Sequence, residues 1–432
     1  MKKNFRLLFM CLMSFWLLAS CGTTPTTDRN DDTPAPEPAH VAEPEPEEPP
    51  EPEMVWVGTW ASAQYYGDDT GDGGKRSAMQ VSATLPGATL RQIIRTSTGG
   101  EQLRLTFSNE YGDTDLTVLA VQIAKATVPA KSDIDVSTDT PVTFNGGSTS
   151  VVIPAGEFVT SDPVEFMVSA LERIAVSAYF GDMPERVSSH IAARANSFIQ
   201  EGNVVSEETL SGSTNTHWFV LCNVDILLPE GSMSVVAFGD SITDGFGVRD
   251  EQYTRWVDVL MNNLQDNPET RHLSVINMGI GTNSLLQQRN PAAGINRFER
   301  DVLEQPGVGY FIFLIGVNDL NSGRNADAMI ITFDEMIKAA QERGIKVFGG
   351  TIIPHGASDD TRRQRINDWL RQQYEEGNMH GLADFDELMR DPENPASMKK
   401  EYDNDGLHPS VAGYAAMGEY VYGLILEDLA GN

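Results

Sequence analysis

The sequence predicts two folded parts: an α/β part over residues 230–432, built as a parallel sheet covered by helices, and a β-rich, sandwich-like part over residues 54–229 ahead of it. Three observations carry this. From residue 234 onward, short apolar runs alternate with stretches of helical periodicity. Between residues 55 and 229, short period-2 runs are separated by Gly, Asn, Asp and Pro turns. A Pro/Glu-rich stretch of low complexity ends at residue 53, where the strand-like text begins.

At 432 residues the chain is long enough for two to three domains with ample cores. Its formal net charge is −31. Such acidity repels phosphates, so nucleic acid is excluded as a partner, and charge-driven binding to anionic lipid is disfavoured. A solvated acidic surface suits an extracytoplasmic setting. Of the three cysteines, Cys11 and Cys21 fall in the leader and Cys222 is alone in the folded part, so no intrachain disulfide is expected there. Cys222 lies in strand-like text, as a buried and inert thiol would. No cysteine or histidine cluster has metal-ligand spacing, and no metal is expected.

Residues 1–20 open with Lys2, Lys3 and Arg6 and continue as an apolar run over 7–18. That run falls short of the ~20 residues that cross a bilayer and reads as the apolar core of a signal peptide. Leu18-Ala19-Ser20-Cys21 resembles a bacterial lipobox, which implies lipidation at Cys21, with Gly22 after it suggesting the outer membrane. Residues 21–53 then form a tether: prolines stiffen it, glutamates extend it, and at about 3.1 Å per residue it reaches roughly 100 Å. No packed structure is expected in it.

In the β-rich part, runs at 103–107, 116–121, 151–153 and 174–179 read as strands. The stretch from Asp68 to Met79 is only a faint match to a calcium loop: Thr70 stands at its third position and Met79 where a glutamate is needed, so it reads as a surface loop. His190 and His217 are isolated and read as hydrogen-bonded structural histidines, with a cleft-lining role open for His190.

In the α/β part, strand runs fall at 235–238, 273–278, 310–315, 345–353 and 382–385. Between them, Trp256, Val257, Leu260, Met261 and Leu264 share one helical face, as do Met329, Ile330, Phe333, Met336, Ile337 and Ala340. These stripes read as core. Ligands gather at the C-terminal ends of such strands. Three polar motifs follow strand ends there: Gly239-Asp240-Ser241, Asn277-Met278-Gly279-Ile280-Gly281-Thr282-Asn283, and Gly316-Val317-Asn318-Asp319. A fourth, Asp405-Gly406-Leu407-His408-Pro409, precedes a final helix that Ser410 can cap.

This ordered series resembles the four motif blocks of the GDSL/SGNH hydrolases, whose name lists serine, glycine, asparagine and histidine. The similarity runs from about residue 235 to about 429, and extends toward Trp56 in a subgroup with an N-terminal β-rich region. The resemblance implies the flavodoxin-like parallel sheet of that fold, with the β-rich part as an accessory domain that binds substrate or shapes the cleft. It also implies esterase chemistry on substrates ranging from acetylated carbohydrate to lysophospholipid.

The residues support that chemistry. A serine hydroxyl is a weak nucleophile until a base takes its proton. Ser241 is the candidate nucleophile, His408 the base and Asp405 the carboxylate; a three-residue spacing lets Asp405 reach the imidazole Nδ1–H, set its tautomer and stabilise the imidazolium. By the resemblance, Asn318 donates to the oxyanion beside the backbone N–H of Ser241 and of Thr282. Thr282 stands where relatives carry glycine. Either its φ is negative, or Gly281 takes its place by a one-residue shift. Asp244, Asn283 and Asp319 read as loop braces, and His355, after another strand end, as structural filler more than a substrate contact.

The function expected is a serine esterase that needs no cofactor, removing acetyl or other short acyl groups from carbohydrate. The alternatives are a lysophospholipase or lipase, and a non-catalytic, glycan-binding surface lipoprotein. The expected partners are a small acyl ester or an acylated polysaccharide, with the membrane touched only through the N-terminal lipid.

Overall fold

The computed structural model describes residues 53–67, 77–288 and 292–431. The leader, Cys21, the tether through residue 52, and residues 68–76 of the candidate calcium loop lie outside the described residues.

The α/β part is a five-stranded parallel sheet. Its strands are β1 (Met233–Gly239), β2 (Leu273–Gly279), β3 (Val308–Leu314), β4 (Lys346–Gly350) and β5 (Gly381–Ala383), in the spatial order β2-β1-β3-β4-β5. This is the flavodoxin-like order, and its reversal beside β1 makes a crevice at the C-terminal strand ends. The strands are nearly continuous apolar runs because both faces are covered: Val235, Val236, Ala237 and Phe238 are all fully buried. Helix α1 (Ser241–Asp244) is a single turn directly after β1. Helices α2 (Trp256–Asp266), α3 (Ala326–Glu342), α4 (Thr361–Glu375) and α5 (Val411–Leu429) supply the cover. Both helical stripes expected from periodicity face the core, through Trp256, Leu260 and Leu264 on α2 and Met329, Phe333, Met336 and Ala340 on α3.

Ahead of this sheet the chain is β-rich and antiparallel. One sheet pairs Met54–Ala61 with Leu221–Pro229, then Leu221–Pro229 with Gly100–Ser108. A second centres on Arg173–Phe180, between Ala88–Arg95 and Leu116–Lys125. The two share one core: Leu103, Leu105, Val224 and Ile226 from the first cluster with Leu90, Ile94, Val118, Ile123 and Val176 from the second. Burial at every other residue of Val164–Val168 shows the expected period of two.

The antiparallel part is joined to the parallel sheet by buried polar contacts. The strand Met54–Ala61 lies along β2. Gly58 N–H donates to Ser234 Oγ at 3.0 Å, and the Ser274 hydroxyl donates to Gly58 O at 2.5 Å. Ser97 Oγ accepts from Val275 N–H at 2.7 Å. A three-stranded sheet joins Tyr65–Tyr66, Ser188–His190 and Trp218–Phe219, and its His190 lies 3.0 Å from Asp244, shortly after β1. Cys222 is a buried free thiol whose Sγ lies 3.3 Å from Thr106 O, and burial pushes it well above the usual thiol range.

Candidate active site

The register of the sheet brings three loops to one level, because Gly239 pairs with both Gly279 on β2 and Leu314 on β3. Asp240 ends β1 and caps α1, its carboxylate accepting from Ile242 N–H at 3.0 Å and also from Gly316 N–H. One residue thus ties the first loop to the third. Burial pushes the Asp240 carboxyl up to about 7. The nearby Asp319 carboxylate adds to this, while the two N–H groups and Arg297 oppose it. Gly316 sits at φ 128°, and a Cβ there would lie 2.7 Å from Met329 Cε, so glycine is required.

Ser241 follows Asp240 at the start of α1. Its Oγ lies 2.9 Å from His408 Nε2. His408 Nδ1 in turn lies 2.9 Å from Asp405 Oδ2. Both separations are in direct hydrogen-bond range. The 405–408 loop is pinned by its own carboxylates: Asp405 Oδ1 accepts from Leu407 N–H at 3.1 Å and His408 N–H at 2.8 Å, and Asp403 accepts from Gly406 N–H at 2.6 Å. Partial burial raises the Asp405 carboxyl, but the His408 N–H and ring outweigh it and hold the group below the usual carboxylate range. Ser410 caps α5 by accepting from Gly413 N–H at 3.2 Å. The structure therefore brings Ser241, His408 and Asp405 into one chain of contacts.

Asn318 and Thr282 come from the flanking loops. The Asn318 amide donates to Asn283 O at 2.9 Å, which fixes its orientation. Thr282 departs from the backbone conformation expected for it. Its φ is 62°, so the negative φ is not observed. The cause is the turn: Asn283 N–H donates to Ile280 O at 3.2 Å, which makes Thr282 the third residue of a β-turn, where type II geometry needs positive φ.

The expected loop braces hold. Asp319 accepts from Leu285 N–H at 2.6 Å and Leu286 N–H at 3.0 Å. Asn283 donates to Ala292 O and accepts from Arg297 Nε. His190 does not line the surface; it is 2% exposed, with Nδ1 2.8 Å from Ala63 O and Nε2 3.0 Å from Asp244 Oδ1. His217 Nδ1 accepts from Ala192 N–H at 3.3 Å. His355 is half-buried in a pocket of about 230 Å³ with Asn321 and Arg362, and burial lowers its imidazole below the usual range.

Two contributors escaped the sequence reading. Arg297 is buried and donates to Gly239 O and Met278 O, both at 2.8 Å, while pairing with Asp301 at 2.8 Å. It clamps the ends of β1 and β2 together. The only signal in sequence was its i,i+4 spacing to Asp301. Phe246 stacks on the His408 ring, and its place just after Gly-Asp-Ser-Ile-Thr-Asp-Gly was the one available hint.

Residues 237–416 match the model of the GDSL-like Lipase/Acylhydrolase family. No curated protein matches the chain. Among solved structures, the chain is similar to a member of the lipolytic protein G-D-S-L family from Veillonella parvula (20% identity, 45% of this chain and 98% of that chain, TM-score 0.36). It is also similar to an acetyl xylan esterase (22%, 45% and 100%, 0.36) and to a carbohydrate acetylesterase from Sinorhizobium meliloti (14%, 45% and 99%, 0.36).

Proposed function

We propose, taking as premise that residues 237–416 are a GDSL-like lipase/acylhydrolase domain and the chain a serine acyl ester hydrolase, that Ser241, His408 and Asp405 form its catalytic triad. The observation that carries this is the 2.9 Å contact between Ser241 Oγ and His408 Nε2, across 167 residues of sequence. Ser241 Oγ attacks the acyl carbon and His408 Nε2 takes its proton. Asp405, ionised at neutral pH, holds the ring and stabilises the imidazolium. His408 then gives the proton to the departing alcohol oxygen, leaving an acyl-enzyme. Water, deprotonated by the same nitrogen, releases the acid.

The oxyanion faces the Asn318 amide and the backbone N–H groups of Ser241 and Thr282. A carboxamide nitrogen carries two hydrogens. One of Asn318's is held by Asn283 O, which aims the other. Loss of one such donor costs on the order of 10²–10³ in kcat.

The substrate we assign is a short acyl ester of a carbohydrate. The alcohol leaves beside His408, and there the rim is polar, with Asn404, Asp405 and Gly406 exposed. Phe246, 39% exposed, adds an aromatic ring among them. A rim that mixes hydroxyl-binding groups with one ring matches a sugar better than an acyl chain. The leader adds a location: an extracytoplasmic enzyme anchored through lipid on Cys21 and held off the membrane by its tether.

The test is turnover of p-nitrophenyl acetate against octanoate, then of acetylated xylan against lysophospholipid. Acetate and xylan are expected to lead, and Ser241→Ala to lose turnover. Preference for octanoate and lysophospholipid would overturn the substrate assignment, and equal rates for wild type and Ser241→Ala would overturn the triad. Cys21→Ser is expected to move the protein out of the membrane fraction.

A further inference from the structure

A buried histidine of the antiparallel part reaches the turn that carries the nucleophile. His190 ends the strand Ser188–His190, pairs across to Trp218, and packs its ring against Trp218 and Tyr65 at centroid distances of 5.7 and 6.1 Å. All of these belong to the part preceding β1. Its two nitrogens lie 2.8 Å from Ala63 O and 3.0 Å from Asp244 Oδ1. Each ring nitrogen thus sits within hydrogen-bond range of an oxygen, one from Ala63 in the antiparallel part and one from Asp244 beyond β1.

Asp244 is the last residue of α1, three residues after Ser241, and its N–H donates to Asp240 O at 2.9 Å. It also underlies the second loop. A Cβ on Gly279 would lie 2.3 Å from Asp244 N, and a Cβ on Gly281 3.5 Å from Asp244 Oδ2. The carboxylate is thus wedged between His190 on one side and the turn carrying Thr282 on the other. A displacement of Asp244 moves both the nucleophile's turn and the turn whose N–H faces the oxyanion.

We propose that His190 is a positioning residue for ester hydrolysis: by holding Asp244 it sets the Ser241 turn against the Thr282 turn, so the antiparallel part is an integral support of the catalytic centre and not a detachable binding module. The proposal rests on Ser241 being the nucleophile, as argued above.

The test uses the full chain, with kcat and KM on p-nitrophenyl acetate, the rate of Ser241 labelling by a fluorophosphonate, and thermal melting. His190→Ala is expected to lower kcat and the labelling rate by about 10–100-fold, the range reached when reacting groups shift by about 1 Å, with KM within about threefold. His190→Gln keeps a donor long enough for Asp244 and is expected within about fivefold of wild type. His190→Asn, too short to reach, is expected to behave like the Ala variant. Asp244→Ala combined with His190→Ala is expected to be no slower than the slower single variant, because the two act as a unit. Wild-type kcat in His190→Ala with only a lower melting point would overturn the proposal. Should the Ala variants fail to fold, equal kcat for His190→Gln and His190→Asn would overturn it. Ser241→Ala, run in parallel, decides the nucleophile separately: if it still turns over, the triad fails whatever the His190 variants do.

Discussion

The rings of Phe246 and His408 lie face to face, 4.1 Å between centroids and 28° from parallel. Phe246 is held from several sides. Its N–H donates to Ser241 O at 2.8 Å, the Tyr414 hydroxyl donates to its carbonyl at 2.9 Å, and the Arg194 guanidinium sits 5.8 Å from its ring. A stacked pair is worth about 0.5–1.5 kcal/mol beyond area, which corresponds to roughly 2–13-fold in rate if it acts on the imidazole in the transition state. Phe246→Ala should therefore lower kcat/KM on p-nitrophenyl acetate by about that factor, with Phe246→Tyr near wild type. Unchanged kinetics in the Ala variant would reduce the ring to a surface feature.

Thr282 carries backbone strain in an exposed turn. A β-branched residue at φ 62° costs on the order of 1–3 kcal/mol, and glycine in its place gives back about 0.5–1 kcal/mol through unfolded-chain entropy. Thr282→Gly should gain about 1 kcal/mol in urea unfolding. Because the N–H is kept, kcat should stay within about threefold of wild type. A loss of stability would mean that the threonine side chain supports the turn.

Asp240 makes stability depend on pH in a defined window. Its carboxyl is pushed up to about 7 by burial, against 3.8 in the ordinary case. Between those values the folded state binds more proton than the unfolded chain, so the slope of stability against pH is negative there. The contribution of this group falls as pH rises from about 4 to about 7, then levels off. Asp240→Asn, which cannot ionise, should lack that component, and melting curves of the two proteins across pH 4–8 should diverge above about pH 5. Parallel curves would show that Asp240 is ionised throughout.

Cys222 should be unreactive in the folded state. The thiolate is the reactive form, and burial raises this thiol far above neutral pH. Iodoacetamide at pH 8 is expected to leave it unmodified in the native protein and to alkylate it in urea. Rapid labelling of the native protein would show that the strand Leu221–Pro229 opens.

The sequence by itself determined the features that depend on short separations. Apolar runs marked all five parallel strands, and i, i+3, i+4 stripes marked α2 and α3, because strand and helix periods are local properties of the chain. Asp405 and His408 were legible as a pair because three residues of loop suffice to join them. Ser241 was legible as a candidate because it follows the end of an apolar run, and Asn318 because its motif resembles a block of the GDSL/SGNH hydrolases. Tertiary structure alone decided what joins them. The Ser241–His408 contact spans 167 residues, His190–Asp244 spans 54, and Arg297 reaches Gly239 across 58. No periodicity encodes such pairs, since they exist only once two separately formed elements dock. Thr282 shows the same limit in the backbone: a β-branched residue argues locally against positive φ, and the turn closed by Ile280 and Asn283 beside Gly239 overrides it.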